Sequence, residues 1–163
     1  MSTAHKNLSD FSHLDVTPVA GKRYGIVVSQ WNAEVTGKLL DGAVNLLEEK
    51  GVQADEIRIV HVPGSYELIS GADLLLTNDP GIDAVICLGC VIQGETRHFD
   101  FISQAVATGL SDVSIKHGKP VIFGVLTTDN EEQAQERAGG RHGNKGAEAA
   151  VTAIQMGNLL TQL

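Results

Sequence analysis

Short, wholly apolar runs alternate along this chain with longer stretches whose apolar residues recur every three or four positions. That alternation constrains the fold more than any other feature. Tyr24 to Val28 is the first apolar run, and Ile57 to Val62, Ala84 to Leu88 and Pro120 to Leu126 follow it; each predicts a strand. Between them, Val35, Leu39, Ala43 and Leu46, flanked by Leu40, Val44 and Leu47, form a helical stripe that ends at Gly51. Tyr66 to Leu76, after a Pro63-Gly64 turn, predicts a second helix. Ile102, Val106, Leu110 and Val113 predict a third, ending near His117-Gly118. Thr128 to Arg137 predicts a short helix opened by Thr128 with Glu131 three residues on, a capping-box pattern. Ala147 to Leu163 predicts the last helix. Strands apolar on both faces belong in a parallel sheet covered by helices on both sides. Right-handed crossovers then give an α/β three-layer sandwich on a four-stranded parallel sheet. Residues 1–20 show no period and are expected to be an extended arm that docks through Leu8, Phe11, Leu14 and Val16; residues 21–163 are expected to form a single domain.

Composition narrows the function classes. The chain has 163 residues and a net charge of −8, without the basic face a nucleic-acid binder needs. The same charge argues against attachment to an anionic membrane. No apolar run approaches the roughly 20 residues a membrane span requires, and Met1 to Asp15 lacks the apolar core of a secretory signal. Two cysteines, Cys87 and Cys90, fit a reducing cytoplasm better than a disulfide framework.

In open parallel sheets, ligands bind at the carboxyl ends of the strands, so the loops there carry the functional reading. After the first strand comes Ser29-Gln30-Trp31-Asn32, with the chain's one tryptophan. Trp31 is either a stacking platform for a flat heterocycle or a cap on the edge of the core. After the second comes Val62-Pro63-Gly64-Ser65-Tyr66-Glu67. Its hydroxyl, carboxylate and helix-start N–H groups suit a polyol; alternatively Ser65 merely caps the helix and Glu67 pairs with its dipole. The third strand runs into Gly89 to His98, where Gly94 and Thr96 precede a helix and make an anion site suited to phosphate. A histidine in that first helical turn, as His98 would be, can act as acid or base near neutral pH. His5, His13, His61, His117 and His142 are read as surface or satisfied core residues. Phe123, on the fourth strand, reads as core or as a ligand contact. Arg137, Arg141 and Lys145 form a local basic segment in an acidic protein, or simple C-cap charges.

Several signals carry nothing. Cys87-Leu88-Gly89-Cys90 spells C-x-x-C, but it closes an apolar strand, where positions three apart face opposite sides, rather than opening a helix. One such pair is also too few ligands for structural zinc. Gly139 to Gly146 lacks the G-K-[ST] ending of a phosphate loop, no G-x-G-x-x-G follows the first strand, and no His-x-x-x-His metalloprotease spacing occurs.

Taken together, five segments resemble the lumazine synthase family in order and spacing. They are Trp31-Asn32 with Thr36, Val62 to Glu67, Gly94-Glu95-Thr96-Arg97-His98-Phe99-Asp100, Gly124 to Thr128, and Arg137-Ala138-Gly139 with Gly143 to Gly146. The resemblance implies a flavodoxin-like sandwich and condensation of 5-amino-6-(D-ribitylamino)uracil with 3,4-dihydroxy-2-butanone 4-phosphate, a transferase step of riboflavin biosynthesis. It implies that Trp31 stacks on the pyrimidine, that Ser65, Tyr66 and Glu67 hold the ribityl side, and that Val91 and Ile92 offer main-chain contacts. Gly94, Glu95 and Thr96 would meet the phosphate, Arg137 would clamp it, and His98 would shuttle protons. Phe123, Arg137 and Lys145 would come from a neighbouring subunit. Trp31 stands where the family usually has Phe, and Gln93 where a basic residue is frequent. No cofactor and no metal are implied. A pentamer, assembled into a 60-subunit shell, is the implied architecture, with riboflavin synthase as a candidate partner. The alternatives are a flavin- or nucleotide-binding module without turnover, a riboflavin synthase-type relative, and a shell protein without activity.

Overall fold

The computed structural model describes residue 10 and residues 20–159. The proposed arm therefore lies almost wholly outside the described residues, as do the last four residues of the chain.

Four parallel strands form the sheet in the order β2-β1-β3-β4: β1 (Tyr24–Ser29), β2 (Ile57–Val62), β3 (Ala84–Ile92) and β4 (Val121–Thr128). The helices are α1 (Ala33–Glu49), α2 (Leu68–Asn78), α3 (His98–His117), α4 (Glu131–Gln135) and α5 (Lys145–Leu159). Two short strands, β5 (Ala138–Gly140) and β6 (Gly143–Asn144), pair antiparallel between α4 and α5.

Alternation along each strand divides the interior in two. Ile26, Val28, Ile86 and Leu88 face α1 and α5, where they meet Leu39, Leu47 and Ile154. Val27, Val85 and Cys87 face α2 and α3, where they meet Leu68, Leu75, Val106 and Leu110. The stripe Val35, Leu39, Ala43 and Leu46 is the buried face of α1, as its spacing requires. Each fully buried Leu or Ile contributes roughly 1.5–3 kcal/mol, so the two cores hold the three layers together. Among the described residues, no helix is long and apolar enough to cross a membrane.

The expected order of elements holds, with corrections at the ends. β3 runs four residues past Leu88, to Ile92, and β4 two past Leu126, to Thr128. α2 starts at Leu68, not Tyr66, because the Pro63-Gly64 turn extends through Ser65 and Tyr66. α4 is capped by Asn130, whose side chain accepts from Gln133 N, whereas Thr128 still belongs to β4. α3 ends where its spacing predicts: Gly118 takes the left-handed conformation, φ 60, that glycine adopts without cost.

The chain runs from β1 outward to β2, then back across β1 to β3. The crevice between the carboxyl ends of β1 and β3 is therefore the topological switch point, where a ligand is expected.

Candidate active site

A cavity of about 450 Å³ opens at that switch point. Three loops build its wall: Trp31 and Asn32 after β1, Gly64 to Glu67 after β2, and Cys90 to Ile92 with His98 at the end of β3 and the start of α3. Ile102 completes it from the first turns of α3.

The β1 and β2 loops are sewn together by their backbones. Gln30 N donates to Val62 O at 2.8 Å, and Trp31 N donates to Pro63 O at 3.0 Å. Trp31 itself is 72% exposed, so it does not cap the core edge; its indole stands at the rim with a face open to solvent. Ser65 does not cap α2 either. The N-cap of α2 is Glu67, with no side-chain cap bond, and Ser65 Oγ is buried with no hydrogen-bond partner. The hydroxyl rests in a niche left by Gly89, where an added Cβ would lie 2.7 Å from it. A buried hydroxyl without a partner costs free energy.

His98 opens α3 and is exposed, its ring without a hydrogen-bond partner among the described residues. Its backbone N–H donates to Thr96 Oγ1 at 3.4 Å. Gly94, Glu95 and Thr96 lie on the exposed loop between β3 and α3, at the start of that helix. Among the described residues the cysteines are free thiols. They face opposite cores, Cys87 toward α2 and α3 and Cys90 toward α1 and α5. Burial pushes the Cys87 thiol up, and burial with the Glu131 carboxylate pushes Cys90 up to about 11, so neither is a poised nucleophile.

Six sequence-derived candidates do not line this cavity: Gly94, Glu95 and Thr96 on the loop before α3, and Phe123, Arg137 and Lys145. Phe123, on the edge strand β4, is 36% exposed rather than core. Arg137 follows α4, and its Nη1 donates to Gln133 O at 2.9 Å. Lys145 opens α5, and its Nζ pairs with Glu148 Oε1 at 2.9 Å.

Two features escaped the sequence reading. Ile102 was placed only in the core stripe, yet it lies one helical turn from His98 and shares its face; the i, i+4 spacing could have found it. Asn32 belonged to a motif without a role of its own, yet its Nδ2 donates to Cys90 O at 3.0 Å across the crevice.

The family model described as 6,7-dimethyl-8-ribityllumazine synthase matches residues 21–161. The chain belongs to that family. Relatives of that name include one from Cytophaga hutchinsonii, 56% identical over 96% of this chain and 97% of its own length. Another, from Porphyromonas gingivalis, is 49% identical over 98% of both chains. A third, from Parabacteroides distasonis, is 48% identical over 97% of this chain and 98% of its own.

Proposed function

We propose that this chain is a transferase of riboflavin biosynthesis. It condenses 5-amino-6-(D-ribitylamino)uracil with 3,4-dihydroxy-2-butanone 4-phosphate to give 6,7-dimethyl-8-ribityllumazine, inorganic phosphate and water. One observation carries the reading beyond the family match: an exposed indole, an unpartnered buried hydroxyl and an unpartnered imidazole, from three different loops, meet on one cavity at the switch point.

In this reading, Trp31 stacks on the pyrimidine and the Val91–Ile92 main chain pairs with its rim. Ser65 and Glu67, with Tyr66 beside them, hold the ribityl chain. Gly94, Glu95 and Thr96 seat the phosphate at the positive end of α3. The pyrimidine amine attacks the ketone and loses water to form an imine. Phosphate then leaves, and the ribitylamino nitrogen closes the ring with loss of a second water. His98 carries protons between these steps. No electrons are exchanged, so the reading includes no redox cofactor. Both substrates are reactive, and holding them in register supplies much of the acceleration.

Arg137, Phe123 and Lys145 act on a neighbour's cavity, Arg137 as the forked phosphate clamp. That division calls for a ring of subunits, a pentamer, and a 60-subunit shell built from such rings. The outer edge of β2 has no strand beside it among the described residues and suits strand addition by a neighbour's arm. The assembly works in the cytoplasm, with riboflavin synthase as a possible partner for its product.

The test is direct. Purified protein is mixed with both substrates, and lumazine fluorescence and inorganic phosphate are followed together. Equal, simultaneous appearance is expected; phosphate without lumazine, or neither, sinks the reading.

A further inference from the structure

The pairing of β1 with β3 stops at Val28 opposite Leu88, yet β3 continues to Ile92. The odd-numbered positions direct their main-chain groups at the β4 side: Val85 N donates to Pro120 O, and Gln93 N to Thr128 O. Successive residues alternate, so the even-numbered ones face the β1 side. Past Leu88 these are Cys90 and Ile92, and no strand lies beside them there.

Asn32 fills the first of those two places. Its side-chain amide donates to Cys90 O at 3.0 Å, as the next residue of a longer β1 would have done. It reaches there from a left-handed backbone, φ 58 and ψ 47, and is the one non-glycine residue of positive φ among the described residues. Asparagine tolerates that region better than most residues. The same turn lets Asn32 O accept from Val35 N at 2.9 Å and Thr36 N at 3.0 Å, which opens α1. Trp31, one residue earlier, is tied to Pro63 O at 3.0 Å. Asn32 thus links the end of β3 to the segment that carries the indole.

We propose that Asn32 is a positioning residue that stands in for the strand β1 lacks. By occupying Cys90 O, it leaves Ile92 as the open main-chain edge on that side of the crevice. A pyrimidinedione presents alternating carbonyl and N–H groups along its rim and pairs with such an edge as an added strand does. With Cys90 O also open, the ring could pair two residues lower; Asn32 removes that register and fixes Trp31 beside the one that remains. This role rests on the function proposed above.

Two variants separate the amide from the turn. Asn32→Gly keeps the left-handed backbone and removes the amide; Asn32→Asp keeps the shape and sets a carboxylate oxygen against Cys90 O. Trp31 is the sole tryptophan, so emission excited selectively at the indole reports on it alone. In ligand-free protein, both variants are expected to melt cooperatively and to show Trp31 more open to acrylamide quenching than in the wild type. In turnover, the KM for the pyrimidine amine is expected to rise about 3- to 10-fold, as loss of one hydrogen bond predicts, with the larger rise in Asn32→Asp. The KM for the phosphate ketone and kcat should stay near wild type. Wild-type quenching and wild-type pyrimidine KM in Asn32→Gly would overturn the proposal, and so would an equal rise in both KM values. If the wild type makes no lumazine, the proposed function fails, while the quenching comparison still decides whether Asn32 holds Trp31.

Discussion

The same strands end twice, and the two ends are built in opposite ways. At the amino end, the charges of Lys22, Arg23, Arg58, Asp79 and Asp83 answer one another. Arg23 N donates to Asp83 Oδ2 at 2.9 Å, and the Arg23 guanidinium grips Asp79 through two bonds of 2.9 and 2.7 Å. Arg58 adds a contact to Asp79 at 3.3 Å, and Lys22 one to Asp83 at 3.2 Å. Hydrogen bonding from Arg23 holds the Asp79 carboxyl below the usual carboxylate range. At the carboxyl end, Trp31, Ser65 and His98 are left open. Polar groups that satisfy one another stabilise a scaffold; polar groups left unsatisfied around a cavity await a ligand. Tyr24 Oη, at the amino end, is also buried without a hydrogen-bond partner, so what sets the carboxyl end apart is that Trp31, Ser65 and His98 share one cavity.

The contrast can be attacked from the open end first. His98→Ala should lower kcat by about 100-fold, within the range of a single acid–base group, and leave the melting temperature unchanged. A completely dead variant would contradict the argument that positioning supplies most of the rate. Arg137→Ala should raise the KM for the phosphate ketone roughly 10- to 100-fold, the loss expected of a charged hydrogen bond, with a smaller change for the pyrimidine amine. Steady-state kinetics with each substrate varied in turn will show it. If Arg137 serves a neighbour's cavity, co-refolding the two impaired variants at equal ratio should leave about a quarter of the sites with both groups intact and raise activity above that of either variant alone. No recovery in mixed assemblies would place both groups in one chain's site.

The smallest effect belongs to the closed end. A carboxyl whose folded value is depressed contributes stability that is fully present above its ordinary value, about 3.9. That contribution is lost as pH falls through the lower folded value. Asp79→Asn should therefore melt slightly below the wild type at neutral pH, and the gap should close as the medium is acidified below that range. Turnover should not change. A gap that persists in strong acid would show that the Arg23 pairing is not its source.

Much of this was legible before any coordinates. The four strands were plain because parallel strands buried on both faces are apolar throughout. The ends were less plain. Gly89 and Cys90 looked like the close of β3, yet the strand continues because β4 runs beside it to Thr128. The β5–β6 pair was missed, since two- and three-residue strands carry no period. Thr128 with Glu131 spells a capping box for α4, yet the geometry gives the cap to Asn130, because Thr128 is still held in β4. In the site, Trp31 and Ser65 each had a bland reading, and both readings failed on exposure and hydrogen bonding. The link from Asn32 to Cys90 spans 58 positions of sequence, and no local pattern encodes a contact of that kind.

The cysteines carry a practical consequence. Their sulfurs point into separate cores, and the protonated thiol is favoured at both. Alkylating reagents can reach them only when the layers part, so the rate of maleimide incorporation times how often the native sandwich opens. Mass spectrometry of intact chains would count one adduct for a half-opened molecule and two for a fully opened one, a stopwatch already sewn into the central strand.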